Sequence, residues 1–252
     1  MFRALSDYRR LLRAGTALAR YDVVLPGDYQ ARLPLPAKVA GGILRLFGGG
    51  ARGRPGQRLA AALQRLGPAY IKLGQFLATR PDVFGPEVAG DLSRLKDKLP
   101  PFSMKQARAA LAGEFGEAEA ARLFPGLSEP LAAASLAQVH RMALPDGDRA
   151  VKILRPGIEQ QLALELSAMR RAARTIEGVS AESRRLKPIA FTDTIAAFMT
   201  RELDLRLEAG GADEMREIHL KTGYFDIPKI DWERTGRRVL TMQWIEGTPL
   251  TV

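Results

Sequence analysis

The fold class of this chain depends on residues 137–154, AQVHRMALPDGDRAVKIL, which have the pattern of a β-hairpin. Two short runs in which apolar and polar residues alternate lie on either side of Pro-Asp-Gly-Asp at positions 145–148. Proline, aspartate and glycine favour a tight turn. The pattern predicts strands at residues 137–143 and 149–154. The segment Arg155-Pro156-Gly157 then ends the second strand.

Outside the hairpin, apolar spacing and the positions of Gly and Pro predict helices before it, and helices with short strands after it. The predicted class is therefore α+β with mainly antiparallel strands. A Gly-rich linker is predicted at residues 46–56. The predicted helices are residues 2–20, 57–66, 68–79, 86–98, 104–115, 158–177 and 189–209, and the short strands lie near 227–230 and 238–244.

The 252 residues include no cysteine and two histidines, and this excludes several classes of site. A disulfide scaffold, a thiolate zinc site, an iron–sulfur cluster and a cysteine nucleophile all need cysteine. A metal site built from several histidines is also disfavoured. The content of 46% apolar and 26% charged residues is that of a globular protein.

The net charge of +10 comes from one part of the chain. Residues 1–72 hold 13 Lys and Arg against 3 Asp and Glu, whereas residues 73–252 hold 25 of each. The helix predicted at residues 2–20 is basic and amphipathic, as in helices that lie on anionic membranes. A solvated arm, or a helix packed on its own domain, has the same pattern. Nucleic-acid binding is disfavoured by the few aromatic residues, and we find neither a signal peptide nor a spanning segment of ~20 apolar residues.

Lys152 is the first candidate functional residue. It lies mid-strand, downstream of the small residues Leu-Ala-Ala-Ala-Ser at positions 131–135. A lysine in an alternating strand is often simply solvent-facing, but a loop of small residues, a hairpin and a strand lysine also follow one another in a nucleotide-phosphate clamp. Small residues let the backbone approach phosphate oxygens, and the lysine adds a positive charge. Because this loop is Ala-rich rather than Gly-rich, we expect it to be stiffer.

Carboxylates in the helix predicted at residues 189–209 form a second candidate group. Glu202 falls on the apolar stripe that includes Met199, so its carboxylate needs a partner. Asp204 and Glu208 fall four residues apart on another face. The pattern indicates ion pairing or metal contact, and a Glu202 that reaches solvent fits it as well.

Lys72 and Gln75 form a third candidate group, three residues apart on one face of the helix predicted at residues 68–79. Gly74 between them costs the helix about 1 kcal/mol relative to alanine. The close approach of another element or of a ligand explains such a glycine, although an ordinary packed helix has the same spacing.

Five segments, in this order, resemble the UbiB family of atypical kinase-like proteins, also called the ABC1 or COQ8 family. Residues 67–82 are similar to its KxGQ signature and the S/T-R-P-D segment that follows. The others are its Ala-rich loop at 131–140, its nucleotide-lysine strand with Arg-Pro-Gly at 151–157, its ExD motif and R-x-E-A pattern at 202–209, and the strand into the interlobe hinge at 239–247. The resemblance covers about residues 60–252. Gln243 and Lys96 stand where the family more often has Glu and Gln.

The resemblance implies a protein-kinase-like N-lobe, with a small antiparallel sheet and helices, and a helical KxGQ extension before it. It implies a basic arm and linker at residues 1–56, the extension at 57–122 and the N-lobe at 123–252. Lys152 would contact ATP phosphates and pair with a helix carboxylate, for which Glu208 is favoured, although the apolar stripe equally allows Glu202.

The other roles that the resemblance implies concern the nucleotide pocket and its cover. ATP would contact Ala132, Ala133, Ala134, Ser135 and Lys152, and the hinge at Gln243, Trp244 and Ile245. Lys72 and Gln75 would cover the pocket, in contact with Glu202 and Asp204.

Phosphoryl transfer also needs a catalytic-loop Asp and Asn and a magnesium-binding Asp. Only Gly-Thr-Pro-Leu-Thr-Val follows Glu246. We therefore expect the C-lobe, with every catalytic residue and the metal ligands, to be missing, so that this chain holds no metal ligand. We also expect no ATP hydrolysis by this chain alone.

For the parent protein, the resemblance implies ATP and Mg²⁺ as cofactors and a role in ubiquinone (coenzyme Q) biosynthesis. The site of action would be the cytoplasmic face of a bacterial inner membrane, or a mitochondrion. The partners would be an anionic membrane surface, met by residues 1–56, and ubiquinone-pathway proteins or lipid precursors. A non-catalytic lipid or protein scaffold is the alternative. The polyprenylphenol hydroxylase role once assigned to the family is disfavoured, because flavin and iron motifs are lacking.

Overall fold

The structure, a computed structural model, describes residues 2–22, 52–95, 99–179, 184–185, 187–223 and 226–247. Most of the linker predicted at 46–56, together with Lys96, lies outside these ranges. The chain divides into two compact units, the first comprising residues 1–97 and 159–199 and the second residues 98–158 and 200–252. The three-segment division inferred from the family motifs stays a prediction.

The elements follow one another as helices, three strands, helices and a strand, and the α+β class is confirmed. The helices are α1 Phe2–Arg20, α2 Pro55–Leu66, α3 Pro68–Ala78, α4 Pro81–Phe84, α5 Pro86–Ser93, α6 Met104–Phe115, α7 Glu117–Leu123, α8 Ile158–Val179, α9 Pro188–Glu202 and α10 Leu205–Thr222. The strands are β1 Leu127–Ala133, β2 Ala137–Met142, β3 Arg149–Leu154 and β4 Val239–Gln243, and a short 3₁₀ helix spans Trp232–Arg234.

The short helices of the first unit owe their boundaries to proline and glycine. Helices α2 to α5 each begin with a proline, at positions 55, 68, 81 and 86. Proline is suited to the first helical position because it has no N–H to leave unpaired and its φ is already helical. Gly67 joins α2 to α3 with a φ of 105°, a conformation that residues with a Cβ rarely adopt.

Gly74 lies where α3 packs against its neighbours in the first unit. A Cβ at this position would lie 2.8 Å from Cδ1 of Leu63 and closer still to Cδ1 of Leu95. The side chains of Ile71, Leu63 and Leu92 around it are buried. The close approach that the sequence predicts at Gly74 is therefore made by packed leucines.

The second unit contains a four-stranded antiparallel sheet in the order β1-β2-β3-β4. Helices α6 and α7 pack on one face, where Leu111 and Leu123 meet Val151, Ile153 and Val239. This small antiparallel sheet with helices is consistent with the kinase-like N-lobe inferred from the sequence. Residues 227–230 do not form the predicted strand, and only Ile230 makes a single bridge, to Met242.

Strand β1 corrects the prediction of an Ala-rich loop at residues 131–135. Residues 131–133 are the end of β1 and pair with β2, so that only residues 134–136 turn. Pro130 is tolerated because β1 is an edge strand, and the pairing register shifts on both sides of it.

The helix predicted at residues 189–209 is two helices. α9 ends at Glu202, and Asp204 is the N-cap of α10, its carboxylate accepting a hydrogen bond from the N–H of Arg206 at 3.2 Å. A capping aspartate offers the backbone an alternative to a continuing helix. The predicted placement of Asp204 and Glu208 on one face of a helix shared with Glu202 is therefore wrong.

Candidate functional site

The β-sheet register assigns Lys152 to the face opposite the α6–α7 core. Lys152 pairs directly with Val139 of β2 and Leu240 of β4. Since directly paired residues point to the same side of a sheet, these three share a face. The neighbours of Lys152, Val151 and Ile153, are fully buried against the helices on the other face.

Helix α10 brings a carboxylate to this lysine. Nζ of Lys152 donates to both carboxylate oxygens of Glu208, at 2.7 Å each. The start of α10 is fixed by a hydrogen bond from the N–H of Leu205 to the carbonyl of Arg237 and by burial of Leu205 and Ala209. Of the two carboxylates that the sequence left open for Lys152, the structure has Glu208 in contact with it.

The Lys152–Glu208 pair is solvent-accessible, with side-chain exposures of 30% and 47%. Such a pair adds only about 0–1 kcal/mol to stability. The small gain in stability therefore does not explain why Lys152 contacts both carboxylate oxygens of Glu208. The ammonium is held in one place while remaining reachable by a ligand.

Small and apolar side chains surround Lys152 on its face of the sheet. The register puts Ala132 next to Val139, and Ala150 next to Met242. All four are only partly covered or exposed. A flat apolar ring can lie on such a surface while its anionic substituents meet the lysine.

The turn between β1 and β2 is held by Arg155. Its guanidinium donates twice to the carbonyl of Ala134, from Nε at 2.9 Å and from Nη2 at 2.8 Å, and its N–H donates to the carbonyl of Leu136. Ser135 in this turn is fully buried. The turn at residues 134–136 is thus fixed by an arginine fork. The arginine of the Arg-Pro-Gly segment was the available signal, but sequence reasoning used the segment to end a strand and to match a family motif, and did not connect it with the turn.

The predicted hinge residues follow β4. The N–H of Gln243 donates to the carbonyl of Lys229 at 2.8 Å, and that of Trp244 to the carbonyl of Asp148 at 3.0 Å. The Trp244 ring lies under the guanidinium of Arg141, 4.8 Å from its centroid. Of the three predicted residues, only Ile245 has an N–H that no backbone carbonyl in the described part of the chain accepts.

The residues predicted to cover the nucleotide pocket belong to different units. Lys72 and Gln75 are half-buried on α3, in the first unit, whereas Glu202 and Asp204 belong to the second. The guanidinium of Arg206 donates to Asp204 at 2.9 and 2.6 Å and holds the pKa of this carboxyl below its usual range. A contact between the two pairs stays a prediction.

A buried polar network behind the sheet was missed by the sequence reasoning. Gln138 and His140 are both fully buried on the α6 side of β2. His140 Nδ1 lies 2.7 Å from the carbonyl of Ser128, which can only accept, so Nδ1 carries the proton. Nε2 then accepts from the Gln138 amide at 2.9 Å, and Gln138 also binds the backbone of Phe102. Burial lowers the pKa of His140. The only local sequence feature that pointed to this network was the position of Gln138 and His140 two residues apart on one strand.

A second missed group lies in the first unit around Glu165 of α8, whose side chain is only 1% exposed. Its Oε1 accepts from Arg10 at 2.6 Å and from Arg13 at 2.8 Å, and its Oε2 accepts from the hydroxyl of Tyr70 at 3.2 Å. Burial and Glu165 raise the pKa of Tyr70, so the hydroxyl keeps its proton. The sequence feature that could have predicted this group is Glu165 itself, a glutamate three residues after Leu162 on the apolar stripe of α8.

A groove of about 650 Å³ lies in the second unit away from Lys152, beside the 3₁₀ helix. Its arginines are engaged: Arg149 pairs with Asp231 at 3.3 Å, and Arg234 pairs with the same carboxylate at 3.0 Å. We therefore assign the candidate site to the lysine face of the sheet, where the charged groups are accessible. Across the described ranges, no group of three or more acidic or histidine side chains is arranged to hold a metal ion.

Comparison with known proteins places the chain in a family. The model of the ABC1 atypical kinase-like domain matches residues 94–252, and the chain belongs to this family of atypical kinase-like proteins. Curated relatives bear the name "Probable protein kinase UbiB". The relative from Cellvibrio japonicus is 36% identical over 248 residues, which are 97% of this chain and 44% of the relative. The one from Marinobacter nauticus is 37% identical over 248 residues, 96% of this chain and 44% of the relative. The resemblance to the UbiB family is thereby confirmed, and the chain spans less than half of the length of these two relatives.

Proposed function

We propose that this chain carries the nucleotide-binding lobe of a UbiB-type atypical kinase and binds ATP on the Lys152 face of its sheet. The observation that carries the proposal is the bidentate, accessible contact between Lys152 and Glu208. In kinase-like proteins a strand lysine contacts the nucleotide phosphates while a helix carboxylate holds it in position.

Each part of this face has a definable role in the proposal. The apolar surface around Val139, Ala150 and Met242 receives the adenine, and the N–H of Ile245 is available to its ring edge. The turn fixed by Arg155 limits the backbone entropy that is lost when phosphates bind. Lys152 supplies the positive charge, and Glu208 keeps its ammonium in place.

Magnesium would neutralise the charge on the phosphates when it is bound. Because the chain spans less than half of the length of the two relatives, we propose that the magnesium ligands belong to further sequence of a longer protein. For that protein we propose a role in ubiquinone biosynthesis at the cytoplasmic face of a bacterial inner membrane, with pathway proteins or lipid precursors as partners. The name and the bacterial sources of the relatives support this role, and the charge of residues 1–72 supports contact with anionic lipid. No helix in the described ranges is long and apolar enough to cross a membrane.

The test is thermal stabilisation of the chain by ATP and Mg²⁺. A ligand at 100 times its Kd stabilises the native state by about 2.7 kcal/mol, which a thermal melt detects. We expect K152A to lose most of the shift and E208Q to lose part of it. Because the pair is exposed, both variants should fold like the wild type.

Lys105, an exposed lysine on α6, provides the matched control. K105A should keep the wild-type shift. If K152A kept the full shift, ATP would bind elsewhere, and if the wild type showed none, the scaffold alternative would be favoured. We expect no ATP hydrolysis by this chain alone; magnesium-dependent turnover that K152A abolishes would contradict this expectation.

A further inference from the structure

We propose that a groove between α1 and the end of α2 binds the phosphate group of an anionic phospholipid while α1 stays packed on the first unit. The proposal deepens the contact with anionic lipid given under the proposed function, and it is independent of ATP binding at Lys152. The groove has a volume of about 540 Å³. Its lining includes Arg9, Leu12, Arg13 and Arg20 from α1, and Arg65 and Leu66 from α2.

The groove concentrates positive charge, because three of its four arginines have no acidic partner among the described residues. Arg9, Arg13 and Arg20 follow one stripe of α1, because their spacings of four and seven residues match the helical repeat. Arg65, from the last turn of α2, faces the same groove, and none of the described residues that line it is acidic. Three guanidinium groups without a carboxylate partner among the described residues, around one space, create a strong potential for a phosphate.

Three of these arginines are available to a ligand. Arg9, Arg20 and Arg65 are exposed, and none of them has a hydrogen bond or ion pair to any residue in the described ranges. Other arginines of this unit do have carboxylate partners, as Arg54 has in Asp91 at 2.5 Å. Guanidinium groups bind phosphate oxygens in pairs of parallel hydrogen bonds, so one phosphate can satisfy two of them.

The fourth arginine fixes the shape of the groove. Nη2 of Arg13 donates to Glu165 at 2.8 Å and to the carbonyl of Leu66 at 3.3 Å, and so connects α1 to α2 and α8. On another face of α1, Asp7 and Ala14 are buried. The helix therefore presents this groove without leaving the unit, and lipid binding requires no insertion of that buried face.

Exposed apolar side chains beside the cations favour a lipid over a soluble phosphate. Leu12 lines the groove and is 64% exposed, and Tyr8, one turn earlier on α1, is 60% exposed. Tyrosine is enriched at membrane interfaces, where its ring and hydroxyl meet apolar and polar surroundings. A headgroup among the arginines would bring acyl chains next to Leu12 and Tyr8.

The experiment is co-sedimentation of the whole chain with phosphatidylcholine vesicles that contain phosphatidylglycerol, with pure phosphatidylcholine vesicles as reference. The groove variant carries R9Q, R20Q and R65Q. The control variant carries R94Q, R108Q and R174Q, which remove three exposed arginines outside the groove and give the same net charge. A basic residue near an anionic surface strengthens binding by about fivefold, so we expect the groove variant to bind about 100-fold more weakly and the control to stay near the wild type.

The outcomes separate the groove from general charge attraction. If both triple variants weaken equally, the groove proposal fails while the membrane contact stands; if the wild type does not bind, both fail. Free inorganic phosphate should not release the vesicle-bound chain, and release at millimolar phosphate would identify a soluble-phosphate site instead. The ATP-induced thermal shift should be the same in all three proteins, and its loss in the groove variant would contradict the independence of the two sites.

Discussion

Replacement of Glu165 by glutamine tests how α1 is held on the first unit. The carboxylate is almost fully buried and accepts hydrogen bonds from Arg10, Arg13 and Tyr70. Glutamine keeps the size and one acceptor oxygen of glutamate, but it removes the charge that both arginines share. Its NH₂ group also replaces one of the two acceptor atoms that these three donors use.

The expected loss of stability follows from the exposure of the partners. Removal of one member of a fully buried ion pair costs about 3–5 kcal/mol, because a charge is left without compensation. Here the side chains of Arg10 and Arg13 are 25% and 53% exposed and can regain part of their hydration. We therefore expect E165Q to lower the free energy of unfolding by about 2–3 kcal/mol, below the fully buried limit.

Urea unfolding followed by far-UV circular dichroism measures this loss, because the first unit is helical in its described part. The control is E87Q, the same substitution at an exposed position on α5 in the same unit, where we expect a change within about 0.5 kcal/mol. An E165Q midpoint that shifts no more than that of E87Q would refute the reasoning. It would mean that the two arginines hold α1 equally well without the carboxylate.

Three further predictions concern single side chains. Burial lowers the pKa of His140 in the folded protein. The contribution of neutral His140 to stability is therefore complete above the unfolded pKa of about 6.5 and is lost as the pH falls towards the lower folded pKa. The melting temperature of H140Q should fall less on acidification than that of the wild type or of H219Q. G74A should destabilise the chain by about 1–3 kcal/mol through overpacking, whereas G90A, where a Cβ meets open space, should stabilise it by up to about 1 kcal/mol in the same melts. R155K removes the fork on the β1–β2 turn, so the amide hydrogens of residues 134–136 should exchange faster, and unchanged exchange would show that the fork does not hold the turn.

Local signals were sufficient for the hairpin and for most helices. The hairpin lies within 18 contiguous residues, 137–154, and its turn residues and strand alternation point to the same structure. Strand β1 was missed because its sequence, LSEPLAA, lacks β-branched residues and contains Pro130. Pairing with β2 forms this strand, and tertiary context of this kind overrides a weak local preference.

The site was predictable in part. The order of the motifs made Lys152 a candidate residue, which stays a prediction. It left Glu202 and Glu208 open as the partner of Lys152, because an apolar stripe of constant period runs through the sequence across the helix break. The N-cap at Asp204 begins a new helix, so the residues after it face other directions than they would in a continued α9. The apolar periodicity of the sequence gives no sign of this break. Glu165 and Arg10 are 155 residues apart, and no local pattern connects two such positions.

The division into two units has a consequence for truncated forms of this protein. The family model begins at residue 94, whereas the first unit joins residues 1–97 to residues 159–199. A polypeptide trimmed to start at residue 94 would retain α8 but lose α1 to α5, and Glu165 would lose all three of its hydrogen-bond donors together. Such a fragment would expose a helix surface evolved for burial and would tend to aggregate during expression. For recombinant work, the segment that the family model matches is therefore shorter than the smallest piece that keeps the core of the first unit buried.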